Sequence, residues 1–224
     1  MKVYALIVAG GSGTRMKSDV PKQFMLLNQR PVLMHTIERF IEYDPSITIT
    51  LVLPANQFDT WKSLCNKYGF DVQHQLVAGG ASRFDSVFNG LKNIDDSGVI
   101  FIHDGVRPLV STDTLKRCLE KTIESGNALP VMPLIESIRS VDGINNSVAN
   151  RDNFVSVQTP QVFLIDEIKA AYNFAKSKSF TDDASVLEHF GEKINLVEGN
   201  HENIKITYPS DLIFAEALLS DIRK

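Results

Sequence analysis

Apolar runs rich in β-branched residues alternate with helix-period segments along most of this chain, and that alternation restricts the fold more than any other property. Short strands are predicted at 4–9, 47–53, 71–77, 99–103, 128–133 and 194–198. Helices are predicted between and after them, at 32–43, 57–68, 83–94, 164–178, 183–190 and 209–222. In 32–43 the apolar stripe is Leu33, Ile37, Phe40 and Ile41. Ser111 reads as the N-cap of a further helix, with Leu115, Cys118, Leu119 and Ile123 as its buried face. Strands separated by helices imply right-handed βαβ crossovers and a mostly parallel sheet with helices on both faces. The expected fold is therefore α/β, a Rossmann-like three-layer sandwich. The 224 residues suit one domain over 1–224 with a sizeable core. The polar stretch 135–157 interrupts the pattern. Asp142-Gly143 is a turn signal there, with Asn145-Asn146 beside it. It reads as a protruding β-arm of the kind that embraces a second subunit; an ordinary surface loop is the plain alternative.

Sheets of this type bind ligands beyond the carboxyl ends of their strands. The first predicted strand runs into Ala9-Gly10-Gly11-Ser12-Gly13-Thr14-Arg15-Met16, and Pro21-Lys22-Gln23 follows. Glycines let backbone N–H groups approach an anion without a Cβ in the way. Arg15 and Lys22 add the charge that backbone dipoles lack. The combination reads as a nucleoside triphosphate site. It is not a dinucleotide fingerprint, because the third small position counted from Gly11 is Met16, and no Gly-Lys pair supplies a Walker A loop. A Gly-x-Ser-x-Gly nucleophile elbow is also missing.

Two more features follow predicted strands and so share that rim. Asp104, in His103-Asp104-Gly105-Val106-Arg107-Pro108, is placed to hold Mg²⁺, which commonly takes one or two protein carboxylates and fills its shell with phosphate oxygens and water. The alternative is an aspartate capping the next turn, and His103 reads as a packed strand residue. Gly79-Gly80-Ala81-Ser82-Arg83 allows close approach to a flat base, with Arg83 and Ser86 able to orient the base or the phosphates. Lys205 and Thr207 are expected on one face of a short strand, where they can meet a second phosphate. Arg151 and Gln158-Thr159-Pro160-Gln161 carry weight only in combination. Thr181-Asp182-Asp183 reads as a helix cap.

A net charge of −4 and a pI near 5.7 argue against long nucleic acids as partners, while leaving room for a local cluster of cations. No run approaches the ~20 apolar residues of a membrane span, and no signal peptide is apparent. Cytoplasmic residence is the expectation. Cys65 and Cys118 have no metal-ligand spacing and read as small apolar residues.

The glycine turn, Pro21-Lys22-Gln23, His103-Asp104-Gly105-Val106-Arg107-Pro108, Gln158-Thr159-Pro160-Gln161, Thr181-Asp182-Asp183-Ala184-Ser185 and Asn203-Ile204-Lys205-Ile206-Thr207 occur in an order and spacing that covers essentially the whole chain. In them the chain resembles the 2-C-methyl-D-erythritol 4-phosphate cytidylyltransferase family. The resemblance implies transfer of a cytidylyl group from CTP to methylerythritol phosphate with release of pyrophosphate, Mg²⁺ as cofactor, and a homodimer with interlocking arms. It implies that Arg15, Lys22 and Lys205 are catalytic cations and that Asp104 holds the metal. It puts Ala9, Gly10, Gly11, Gly13, Gly79, Gly80, Arg83 and Ser86 around CTP. Arg107, Thr159 and Thr207 would meet the acceptor, and Ser137 and Arg151 would reach the partner subunit's acceptor site. The chain departs from the family at Glu136-Ser137, where Asp-Thr is usual, and at Ala81, where an acidic residue is frequent. Ribitol-5-phosphate cytidylyltransferases share several of these elements, and a non-catalytic nucleotide sensor on the same fold is the alternative of another class.

Overall fold

The structure, a computed structural model, describes residues 1–11, 16, 18, 20–176 and 179–222. Its centre is four parallel strands: β1 (Val3–Val8), β4 (Thr48–Leu53), β5 (Gln75–Ala78) and β6 (Val99–Asp104). Between β1 and β4 a small hairpin of β2 (Leu26–Leu27) and β3 (Arg30–Pro31) precedes helix α1 (Val32–Tyr43). Helix α2 (Phe58–Tyr68) leads to β5 and α3 (Arg83–Lys92) leads to β6. Then come α4 (Thr112–Ser125), β7 (Asn127–Pro133), the hairpin β8 (Ile138–Asp142) and β9 (Asn145–Ala149), β10 (Val155–Val157) and β11 (Gln161–Leu164). Helices α5 (Ile165–Phe174) and α6 (Asp183–Phe190), strand β12 (Leu196–Glu198) and α7 (Pro209–Ile222) complete the described chain. The main sheet runs β10-β7-β11-β6-β1-β4-β5, with β12 beside β7.

Side-chain alternation along the strands builds a core on each face. Ala5 and Ile7 of β1 and Val99 and Phe101 of β6 point to one side, against Leu33, Ile37 and Phe40 of α1, Trp61 of α2 and Cys118 of α4. Tyr4, Leu6, Ile100 and Ile102 point to the other, against Val87 and Leu91 of α3, Ile168 and Tyr172 of α5, and Leu187 of α6. Each such aliphatic side chain contributes about 1.5–3 kcal/mol by leaving water. The two layers of helix around a mostly parallel sheet agree with the α/β sandwich expected from the sequence. Ser111 caps α4 as predicted, its hydroxyl accepting the Thr114 N–H at 3.1 Å. Cys118 lies in α4, where burial pushes its thiol up to about 12.

Four expectations need correction. The helix predicted over 164–178 starts where expected but ends at Phe174, and the residues before it form an unpredicted strand, β11, which inserts antiparallel between β6 and β7. Gln161–Leu164 is covered on both faces, so it shows no alternation to distinguish it from a helix start. The arm is narrower than 135–157: its hairpin is β8 and β9, while Val155–Val157 rejoins the main sheet against β7. The 71–77 strand is confined to Gln75–Ala78. Finally, 203–207 forms no strand; the Ile206 N–H donates to the Val106 carbonyl at 2.9 Å, which ties the segment to the turn after β6.

Connection order places a crevice. From β1 the chain steps outward through β4 and β5, then α3 carries it back across to β6 on the other flank of β1. Strand order therefore reverses between β1 and β6, and their carboxyl ends, Val8 and Asp104, are paired neighbours.

Candidate active site

Three loops meet at that switch point. Gly10 and Gly11 leave β1, Gly79 and Gly80 leave β5, and Gly105 leaves β6. Close backbone approach explains two of these glycines. A Cβ on Gly105 would stand 2.7 Å from Ala9 Cβ, and one on Gly80 would stand 2.3 Å from Asp85 Cβ, with Asp85 backbone atoms at 3.1–3.2 Å. Ser86 pins the Gly80 turn: its hydroxyl donates to the Ser82 carbonyl at 2.9 Å and accepts the Gly80 N–H at 3.1 Å. Ser82 caps α3, so the positive end of that helix faces the crevice.

Two adjoining cavities result. The first is walled by Ala9, Gly10, Gly11, Lys22, Gly80 and Ser86. The second is walled by Arg107, Gln158, Thr159, Gln161, Thr181 and Asp182. Arg83, Asp104 and Lys205 line both. Lys22 is 8% exposed and its Nζ donates to the Ile206 carbonyl at 3.3 Å.

Asp104 sits among cations. Lys205 Nζ is 2.7 Å from Oδ2, Arg83 Nε is 3.5 Å from Oδ1, and Arg107 Nε is 3.8 Å from Oδ2. Burial favours the neutral acid, but Arg83, Lys205 and Arg107 outweigh it and hold the carboxyl well below the usual range. Arg107 is itself pushed down by burial, and its Nε has no hydrogen-bond partner among the described residues. The Arg83 fork is spent elsewhere: Nη1 and Nη2 donate to Asp183 Oδ1 and Oδ2 at 2.8 and 2.7 Å. Burial opposes the Arg83 charge, and Asp183 more than restores it. Tyr172 also donates to Asp183, at 2.6 Å. Arg83 thus enters both cavities as a fixed charge.

His103 is fully buried behind Asp104, with Phe40 edge-on at 5.1 Å. Burial lowers its imidazole to about 4, against the opposing pull of the Arg107 carbonyl and the Asp104 charge; the Arg107 and Lys205 side chains lower it further. In the unfolded chain the ring titrates near 6.5. Above that pH both states are neutral and the stability is complete. As pH falls from 6.5 to about 4, only the unfolded chain gains the proton, so about 3 kcal/mol is lost, and below that the loss levels off. The His103 ring resonances are expected to stay at neutral positions down to pH 5 in an NMR titration; a midpoint above 6 would contradict this.

The structure brings together Ala9, Gly10, Gly11, Lys22, Gly80, Arg83, Ser86, Asp104, Arg107, Thr159 and Lys205. Gly79 lies behind the wall, its N–H donating to the Leu53 carbonyl at 2.8 Å. Thr207 lines neither cavity; its hydroxyl donates to the Lys205 carbonyl at 3.1 Å. Ser137 and Arg151 also stand outside, around a hollow at the base of the hairpin, where Arg151 Nη1 donates to the Ile135 carbonyl. Gly13 and Arg15 lie outside the described residues. Sequence reasoning missed Asp183, whose place beside a good N-cap disguised it: Asp182 is the cap, in a capping box with Ser185. Its partner Arg83 is 100 residues away, and only the fold reveals the pair.

Comparison with known proteins identifies the family and the fold. Residues 3–221 match the family model described as 2-C-methyl-D-erythritol 4-phosphate cytidylyltransferase. A protein of that name from Bacteroides fragilis is 47% identical over 96% of this chain and 98% of its own length. One from Porphyromonas gingivalis is 47% identical over 98% of each. Among solved structures, the Thermus thermophilus 2-C-methyl-D-erythritol 4-phosphate cytidylyltransferase superimposes with a TM-score of 0.81 at 30% identity, covering 98% of this chain and all of that one. The Anaerococcus prevotii 4-diphosphocytidyl-2C-methyl-D-erythritol synthase gives 0.83, also at 30% identity, over 98% and 96% of the two chains.

Proposed function

Because this chain belongs to the 2-C-methyl-D-erythritol 4-phosphate cytidylyltransferase family, we propose that its two adjoining cavities are the two substrate pockets of one group transfer. The activity joins CTP and 2-C-methyl-D-erythritol 4-phosphate into 4-diphosphocytidyl-2-C-methyl-D-erythritol and pyrophosphate, a step of the non-mevalonate isoprenoid route. CTP takes the cavity at Gly10 and Gly80, and the acceptor takes the cavity at Arg107 and Thr181. The shared wall of Arg83, Asp104 and Lys205 carries this reading, since a group passing between two ligands must cross a place reached from both.

An oxygen of the acceptor phosphate attacks the α-phosphorus of CTP in line, and the bond to the β-phosphate oxygen breaks to release pyrophosphate. The acceptor phosphate has a second pKa of about 6 and is largely a dianion at neutral pH, so no general base is needed. The task is to seat two polyanions side by side and to stabilise charge at the α-phosphorus. Lys22, Arg83, Arg107 and Lys205 against Asp104, Asp182 and Asp183 leave a small surplus of positive charge there. Arg15 joins the triphosphate side on the strength of the motif alone. The unpartnered Arg107 Nε is a donor suited to the acceptor.

The donors fit a magnesium ion that arrives with the triphosphate. Among the described residues no cluster of three or more acidic, histidine or cysteine ligands forms a cage, whereas a single carboxylate facing a phosphate loop is the usual protein share for this ion. Asp104 would hold it, and Lys205, 40% exposed, is the cation that would yield its place. Bound there, magnesium would neutralise phosphate charge as a Lewis acid.

Self-association through the arm completes the reading. Val141, Ile144 and Val148 of the hairpin are exposed, Ile144 at 98%, and Ser137 and Arg151 face neither cavity of their own chain. Both observations support a partner's site as their destination. Among the described residues no helix is long and apolar enough to cross a membrane, and dependence on CTP supports a cytoplasmic setting. Pyrophosphate release should be measured with each of four nucleotides against methylerythritol phosphate and ribitol 5-phosphate. CTP with methylerythritol phosphate is expected to dominate. A preference for ribitol 5-phosphate, or no release from any pair by folded protein, would reject the assignment.

A further inference from the structure

The mechanism above uses Asp104, Arg107 and Lys205 but leaves unexplained what holds them in register. Each stands on irregular backbone or at a strand end, where local stability is lowest. Three buried side chains tie those backbones together. Asp104 N–H donates to Thr159 Oγ1 at 3.1 Å. Thr159 Oγ1 is 3.1 Å from His103 Nδ1, and His103 Nε2 is 3.0 Å from the Arg107 carbonyl oxygen. The Thr159 carbonyl accepts from Asn203 Nδ2 at 2.8 Å, and the Asn203 carbonyl accepts from Arg107 Nη1 at 2.7 Å. The circuit closes on itself and joins the β6 turn, the entry to β11 and the segment that bears Lys205.

Its direction follows from the groups. The Arg107 carbonyl can only accept, so His103 Nε2 carries the proton. Nδ1 of the neutral ring then accepts from the Thr159 hydroxyl, which is left with lone pairs for the Asp104 N–H. No other proton arrangement satisfies all three without leaving a buried hydroxyl proton unpaired. Thr159 therefore spends its hydroxyl inside the protein rather than on a ligand.

We propose that His103 and Thr159 are positioning residues for the transfer, a one-way hydrogen-bond relay that sets the Asp104 carboxylate against Arg107 and Lys205. This rests on the reading of the two cavities given above. Misplacing reacting groups by about 1 Å can cost ~10²-fold in rate, which is the scale on which such a relay acts.

Thr159→Val keeps the shape and deletes the hydroxyl. It is expected to lower kcat ~10–10²-fold while the KM for CTP stays within about threefold, and Thr159→Ser is expected to restore most of the loss. A raised acceptor KM at unchanged kcat would make Thr159 an acceptor ligand and overturn the proposal. So would a lowered melting temperature with unchanged kcat, which marks a merely structural residue. Should Thr159→Val fail to fold, the ¹⁵N tautomer of His103 in the wild-type protein decides: a proton on Nε2 with Nδ1 as acceptor supports the relay, and a proton on Nδ1 refutes it. An inactive wild type in the same assay would instead strike at the cavity assignment.

Discussion

Lys22→Ala is expected to fold normally and to lose turnover by ~10²–10³, the usual loss when one contact made mainly in the transition state is removed. The side chain is held in place before any ligand arrives. Pro21 leads into a 3₁₀ turn at Lys22–Phe24, and the stem runs so close to Gly11 that a Cβ there would touch Cε at 3.5 Å. Its ammonium therefore enters the first cavity with little conformational freedom left to lose, and preorganised charge is worth more than charge that must be gathered. Lys205 differs in kind: its side chain is more open to solvent than the buried Lys22, and its ammonium is engaged by Asp104 at 2.7 Å before any ligand arrives. Steady-state kinetics on purified variant checks the expectation. The loss should appear in kcat at saturating CTP; a variant within threefold of wild type would remove Lys22 from the reacting set.

For stability the largest single effect is expected at Asp183. Asp183→Ala strands the Arg83 guanidinium in a largely buried position and leaves the Tyr172 hydroxyl without its acceptor. Breaking a buried pair by removing one partner costs about 3–5 kcal/mol, and the lower end applies because the Arg83 side chain keeps 29% of its exposure, on the cavity side. By contrast, truncating Glu124, whose pair with Lys121 lies on the surface of α4, should cost a few tenths of a kcal/mol. Urea denaturation of the two variants compares them directly. A loss under about 1 kcal/mol for Asp183→Ala would mean that the existing contact of Arg83 with Asp104 compensates for the lost pair.

Much of the rim was legible because each part is local. Strand–glycine–cation is a pattern within two dozen residues, and Asp104 ends an apolar run that can only be a buried strand. What could not be read is what each side chain does once it arrives. Arg83 and Thr159 were expected to touch ligands, and in the fold their polar atoms bond to Asp183 and to His103 with Asp104. Lys205 lines both cavities, but the strand expected to carry it does not form. The β11 insertion was invisible for a related reason: a strand covered on both sides by neighbours has no periodicity of its own.

The chain's own order of residues determined the layered α/β plan, the glycine loops and the family, since these depend on periodicity and on motifs short enough to be read along the sequence. Tertiary structure alone decided that Asp104 is surrounded by three cations, that Asp183 neutralises a residue 100 positions away, and that His103 and Thr159 close a circuit beneath them. The physical reason is range. Helix and strand patterns are set by neighbours a few positions apart, whereas an ion pair or a buried hydrogen bond is set by distance in space, and only the packed sheet brings those atoms within 4 Å of one another.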